Sequence, residues 1–200
     1  MCIRDSFSSA AEAAINWDDT YNVIVIGAGG AGLSAAVSAK EAGCKKVVVL
    51  EKMMFAGGNT IRAGGGFNAA IKADYEKAGI KDSPDLHAQQ TLAAGDGRGD
   101  PVLVHQLTEK APESVQWLKD HGVKFEDHIY QIYAGLYKRA RNPIGPRGGA
   151  YIKALLEVCK KEDIPILYNT RVVEIIREHQ LSGRVLGVKV EQKGGKTLYL

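Results

Sequence analysis

The apolar positions fall into two kinds of pattern: short β-branched runs and longer stripes spaced by three and four. Residues 22–26 read Asn-Val-Ile-Val-Ile and residues 46–50 read Lys-Val-Val-Val-Leu. Short continuous apolar runs next to glycine predict strands buried on both faces, as in a parallel sheet. Between them, residues 31–42 have helix-forming composition and stop at Gly43, a residue suited to the position just past a helix. Strand, helix and strand in this order predict a right-handed βαβ unit. Further on, residues 86–94, 101–121 and 150–161 predict helices. The second of these opens with Asp100 as N-cap and Pro101 at the first helical position, and Gly122 ends it. Its stripe of Val104, Leu107, Ala111, Val115 and Leu118 predicts one core-facing side, and Trp117 is most simply core. Residues 165–168, 172–178 and 185–192, and the segment from Thr197 onward, predict strands. Gly183 and the pair Gly194-Gly195 mark turns among the last three, so the end of the chain predicts an antiparallel meander. Residues 55–70, rich in glycine, and residues 125–149, basic and aromatic, show no period.

Composition narrows the class without changing this picture. The 200 residues are 45% hydrophobic and 24% charged, with a net charge of +3, as in a globular domain with a core of useful size. Lysine and arginine are spread along the chain with no basic block, which argues against nucleic acid as a partner. No apolar run approaches the roughly 18 residues of a membrane span. Cys2, Cys44 and Cys159 are isolated and read as buried or incidental thiols, which leans towards a reducing compartment. A cytoplasmic location is favoured, with a periplasmic one as the alternative. Residues 1–20 read as an N-terminal extension with a short helical turn over 10–15. They lack the apolar stretch of a signal peptide, and Met1–Ser6 is expected to be foreign or disordered. Residues 21–200 are expected to be one incomplete domain, because the chain stops in a strand.

The first chemical signal is Gly27-Ala28-Gly29-Gly30-Ala31-Gly32, which matches G-x-G-x-x-G between a strand and a helix. In such a turn, the first glycine permits the tight bend. The second lets the backbone approach a pyrophosphate, and the third lets the helix pack closely on the sheet. The helix N-terminus then offers N–H groups and partial positive charge to the phosphates. Glu51 closes the second strand, where a carboxylate can accept the ribose hydroxyls of an adenosine and repel a 2′-phosphate. The plainer reading of Glu51 is a solvated acid at a strand end. These features leave FAD and NAD open.

The next segment separates them. Gly57-Gly58-Asn59-Thr60-Ile61-Arg62-Ala63-Gly64-Gly65-Gly66-Phe67-Asn68-Ala69 follows Glu51-Lys52 almost at once, and a loop so rich in glycine is costly to order without a ligand. With the glycine turn and the strand ending Glu-Lys, it resembles the FAD-dependent oxidoreductase 2 family. This is the fumarate reductase/succinate dehydrogenase flavoprotein superfamily, and the resemblance is to its soluble branch of flavocytochrome c and urocanate reductases. The resemblance implies an α/β fold: a Rossmann-like FAD-binding domain with a parallel sheet plus an antiparallel β-meander, the capping domain lying beyond residue 200. It implies a flavin-dependent oxidoreductase acting on CH–CH bonds, a fumarate- or urocanate-type reductase of an unsaturated carboxylate that takes hydride from flavin N5. The alternatives are a 3-ketosteroid dehydrogenase-like flavoenzyme and a non-catalytic or NAD-binding Rossmann module. The implied partners are a small carboxylate substrate and an electron donor or acceptor.

The resemblance also assigns cofactor contacts. Gly27, Gly29, Gly30, Ala31 and Gly32 form the turn, with Ala31 and Gly32 under the pyrophosphate. Glu51, followed by Lys52, takes the adenosine ribose. Gly58, Asn59 and Thr60 meet the phosphates, ribityl chain and flavin edge. Ala63, Gly64 and Gly65 line the isoalloxazine, with Gly65 and Gly66 open towards substrate. Val173, or its neighbour Val172, meets the adenine through its backbone. Membrane-bound members carry FAD covalently on a histidine where this chain has Asn59, so the resemblance implies FAD held non-covalently. Substrate clamping and proton delivery belong to the capping domain, and no catalytic residue is predicted within these 200 residues.

Arg139-Ala140-Arg141 takes the place of a family Arg-x-His element. Together with Tyr130, Tyr133, Tyr137, Lys138 and Arg147 it reads either as a cationic lining near a carboxylate site or as a solvated loop with structural arginines. His87, His105, His121, His128 and His179 are scattered without metal-ligand spacing, so no metal site is expected. Ser34 lacks the context of a nucleophile.

Overall fold

The computed structural model describes residues 15–133, 135, 137–179 and 182–200. Strand β1 (Val23–Ile26), helix α1 (Gly30–Glu41) and strand β2 (Val47–Leu50) follow one another, with β1 and β2 parallel and in register Val23↔Val47 to Ile26↔Leu50. Gly43 follows α1 at φ +91°, the left-handed position that the sequence assigned it. The short strand β6 (Ile166–Leu167) adds in parallel to the other side of β2, giving the order β1-β2-β6. β2 is buried along its whole length. Its Val47 and Val49 pack towards α1 and helix α5 (Gly148–Lys161), against Leu33, Val37, Ile152 and Leu155. Val48 and Leu50 pack on the opposite face against Val188, Val190 and Leu200. The continuous apolar run of β2 is therefore the signature of a strand covered on both sides.

The second cover is the expected meander: β7 (Thr170–His179), β8 (Ser182–Gln192) and β9 (Thr197–Tyr199), paired antiparallel in chain order. Asp18 closes its far end, with its N–H donating to the Tyr199 carbonyl and its carboxylate accepting the Tyr199 N–H, each at 2.8 Å. The helical turn expected over 10–15 lies almost wholly outside the described residues.

The middle of the chain holds what periodicity did not reveal. Strands β3 (Phe67–Asn68), β4 (Tyr130–Gln131) and β5 (Lys138–Arg141) form a third sheet in the order β3-β5-β4, where an aperiodic loop and an irregular stretch were expected. Helix α2 (Lys72–Lys77) follows β3. Helices α3 (Pro84–Ala94) and α4 (Pro101–Asp120) then pack as a pair, capped by Ser83 on the Leu86 N–H and by Asp100 on the Val102 N–H. The buried stripe of α4 differs from expectation at Val104, which is half-buried, and at Leu107. Thr108, Ala111, Val115 and Leu118 are buried, whereas Leu107 is 60% exposed. Spacing by three and four is kept through Thr108, whose hydroxyl donates to the His105 carbonyl within the helix and so needs no other partner. Trp117 packs on the main core and donates from its indole to Glu41 at 3.0 Å.

Candidate cofactor site

The site begins where β1 turns into α1. Gly27 stands at φ +99° and its N–H donates to the Leu50 carbonyl at 2.7 Å. A Cβ at Gly32 would lie far inside van der Waals contact of the Gly27 carbonyl oxygen, so helix and turn approach as closely as they do only with glycine there. Gly29 differs. Its φ is −82°, open to any residue, and a Cβ there would meet nothing nearer than the Gly57 carbonyl oxygen at 3.9 Å. The space above Gly29 is free on the side where α1 begins. The Gly30 N–H donates to Thr60 Oγ1 at 3.2 Å, whereas the Ala31 and Gly32 N–H groups have no acceptor among the described residues. Donors left over at a helix start are where an anionic group binds.

The glycine-rich loop lies directly along this turn. Gly57 forms a parallel bridge with Gly29 and donates its N–H to the Ala28 carbonyl at 2.8 Å. Gly58 and Asn59 are exposed beside it, and Thr60 opens a 3₁₀ turn, Thr60–Arg62. Glu51 lies against the turn and is only 7% exposed. Its Oε2 accepts the Ala28 N–H and its Oε1 the Met53 N–H, each at 2.8 Å. It is therefore not a solvated acid, and its two oxygens keep lone pairs for further donors. Lys52 is exposed.

Past Glu51 the chain of β7 comes close. The Thr170 N–H donates to the Glu51 carbonyl and the Asn169 N–H to the Met53 carbonyl. Val173 falls in a bulge between the Val172↔Val190 and Glu174↔Lys189 pairs and has no cross-strand partner of its own. At the other end of the loop, Ala63 and Gly64 are exposed, while Gly65 is buried. The Gly65 carbonyl accepts the Tyr151 hydroxyl at 2.7 Å, and its α-carbon faces the backbone of Arg147. Of the two glycines expected to be open, only Gly66 is exposed. The fold thus brings Gly27–Gly32, Glu51 and Gly57–Thr60 together, with the start of β7 tied to the Glu51 segment.

An adenine dinucleotide fits this arrangement: unsatisfied N–H groups and free space at the turn, an acid with spare acceptors beside it, and an exposed glycine loop continuing away. The FAD binding domain family matches residues 22–199 of this chain. The chain belongs to that family. It is 35% identical over 190 residues to the fumarate reductase (cytochrome) of Shewanella frigidimarina, covering 94% of this chain and 33% of that protein. Among solved structures, the open conformation of a flavocytochrome c3 fumarate reductase superposes with a TM-score of 0.84 at 29% identity, over 92% of this chain and 32% of that one. The 3-ketosteroid-Δ4-(5α)-dehydrogenase from Rhodococcus jostii RHA1 superposes with a TM-score of 0.82 at 26% identity, over 94% of this chain and 45% of that one. The chain therefore spans about a third of the length of its fumarate reductase relative. FAD is the cofactor of the FAD-binding domain.

The basic segment combines exposed positions such as Tyr133, Lys138 and Arg147 with two structural arginines. Arg139 and Arg141 are buried on β5. Arg139 holds Asp82 through two nitrogens, at 2.7 and 3.0 Å, with the Asp82 side chain fully buried. Arg141 pairs with Asp74 at 2.8 Å and donates to the Ala69 carbonyl at 3.2 Å. These arginines fasten α2 and the approach to α3 onto the third sheet. Their burial and their partners are not legible from neighbouring residues, because Asp82 and Asp74 lie far along the chain. Among the described residues, no helix is long and apolar enough to cross a membrane.

Proposed function

We propose that this chain is the FAD-binding part of a flavin-dependent reductase that acts on the carbon–carbon double bond of an unsaturated carboxylate of the fumarate or urocanate type. FAD, when bound, supplies hydride transfer at N5. This chain's residues hold and orient it. Ala31 and Gly32 offer N–H groups to the pyrophosphate, and Glu51 offers acceptors to the ribose. The exposed Ala63-Gly64 segment, fixed through Gly65 to Tyr151 and Arg147, forms a floor for the isoalloxazine. The observation that carries the reading is the direct pairing of the two glycine segments beside a buried Glu51. The reductase assignment rests on the similarity to a fumarate reductase over nearly the whole chain. The FAD is held non-covalently, because position 59 carries an amide that cannot form the histidyl–flavin bond. An electron donor outside these residues recharges the flavin.

The test uses the intact protein. After purification it carries a flavin absorption band, and acid precipitation leaves the flavin in the supernatant. With reduced viologen as donor, fumarate or urocanate reoxidises the flavin. The similarity to a 3-ketosteroid dehydrogenase makes 4-androstene-3,17-dione the control substrate. Turnover of the steroid alone overturns the carboxylate assignment, flavin in the acid pellet overturns non-covalent binding, and a colourless protein overturns the whole reading.

A further inference from the structure

The α3–α4 pair carries a cluster that the flavin site does not use. Asp85 lies in the first turn of α3, and His105 and Glu109 lie one turn apart on α4. One ligand atom from each of the three side chains lies within 4.8 Å of the other two. Asp85 and Glu109 are exposed and His105 is half-buried. Among the described residues none of the three side chains makes a hydrogen bond or ion pair, and the Thr108 hydroxyl reaches only the backbone carbonyl of His105. Lys110, whose charge is also felt by Glu109, pairs with Glu113 at 2.8 Å. Three uncommitted donors, an imidazole nitrogen and two carboxylate oxygens, thus converge from two helices.

We propose that Asp85, His105 and Glu109 form a divalent-cation site of the zinc class. An imidazole with carboxylates suits zinc and its first-row neighbours better than calcium or magnesium, which prefer all-oxygen shells. The i, i+4 pair on α4 gives one chelating face, and Asp85 closes it from α3. With bonds of about 2.1 Å, the edge of a tetrahedral zinc site is about 3.4 Å. The ligand atoms need to close by up to about 1.4 Å, within reach of two exposed carboxylate side chains turning about their own bonds. Three protein ligands leave the fourth position to water. A cation there ties the first turn of α3 to α4.

Zinc is titrated by calorimetry into the intact, tag-free, metal-stripped protein. One equivalent is expected to bind, with affinity falling at least about tenfold in both His105→Ala and Asp85→Asn. His128→Ala, at an exposed histidine paired with Glu126, leaves the affinity unchanged. X-ray absorption of the zinc-loaded protein shows one nitrogen and two carboxylate ligands. No zinc uptake by the wild type, wild-type affinity in both variants, or loss of the site in His128→Ala overturns the proposal. Flavin content is recorded in the same samples and is independent of these outcomes.

Discussion

Glu51 Oε2 accepts the Ala28 N–H at 2.8 Å, joining the end of one strand to the glycine turn that follows its neighbour, with both residues buried. The same carboxylate takes the Met53 N–H through its other oxygen. Glu51 therefore shapes the turn before any ligand arrives. Glu51→Ala leaves the buried Ala28 N–H without an acceptor, which costs about 1–3 kcal/mol. The expected result is a lower unfolding free energy in a denaturant melt together with loss of flavin on purification. Unchanged stability with lost flavin would mean that Glu51 acts on the ligand alone.

Gly29 and Gly32 separate folding from binding. A Cβ at Gly32 collides with the Gly27 carbonyl and forces turn and helix apart, at a cost of about 1–3 kcal/mol or more. A Cβ at Gly29 meets only the Gly57 carbonyl oxygen, in ordinary contact at 3.9 Å, and at an ordinary φ. Gly32→Ala is expected to lose stability and flavin together. Gly29→Ala is expected to melt like the wild type yet bind flavin poorly, because its methyl occupies the space left for the pyrophosphate. Chemical melts alongside flavin absorbance distinguish the two. Full flavin in Gly29→Ala would remove the pyrophosphate from that position.

Local chemistry was legible wherever it is carried by neighbours in sequence. The turn Gly27–Gly32, the strand ending at Glu51, the caps Asp100 and Gly43 and the meander at the end of the chain each announce themselves within a few residues, and the structure has them there. The third sheet did not, because strands of two to four residues such as Phe67–Asn68 and Lys138–Arg141 are too short to show a period and are paired across the chain. Arg139 likewise gave no sign that it was buried, since its partner Asp82 lies 57 residues away. The burial of Gly65 was hidden for the same reason: it is made by Arg147 and Tyr151, residues of another element.

The Arg139–Asp82 pair supplies a third test. Both side chains are withdrawn from water and joined by two hydrogen bonds. Removing one partner of a buried pair strands the other charge, at a cost of about 3–5 kcal/mol, whereas replacing both with apolar groups is often neutral. Arg139→Ala is expected to be strongly destabilised in urea melts. Arg139→Met combined with Asp82→Leu is expected to recover most of the loss. A double variant no better than the single one would show that the pair contributes beyond mutual neutralisation.

His87 sets a pH dependence whose sign follows from its surroundings. It is 5% exposed, and its Nδ1 is a buried atom without a hydrogen-bond partner among the described residues. Burial, helped by the nearby positive charge of Arg139 and opposed by Asp82, holds its pKa below the ordinary 6.5. The folded protein thus keeps the imidazole neutral, while the unfolded chain takes up a proton near pH 6.5. Because the unfolded state binds more protons below that pH, this group's contribution is full above about pH 6.5 and is lost progressively as pH falls towards the lowered pKa. His87→Leu removes the titration, so urea melts of wild type and variant are compared across roughly pH 5 to 8. Their difference in unfolding free energy is expected to stay constant on the alkaline side and to shift against the wild type as pH falls below 6.5. A difference that stays flat across the range would mean that His87 reaches solvent or a proton acceptor in solution and titrates as it does in the unfolded chain.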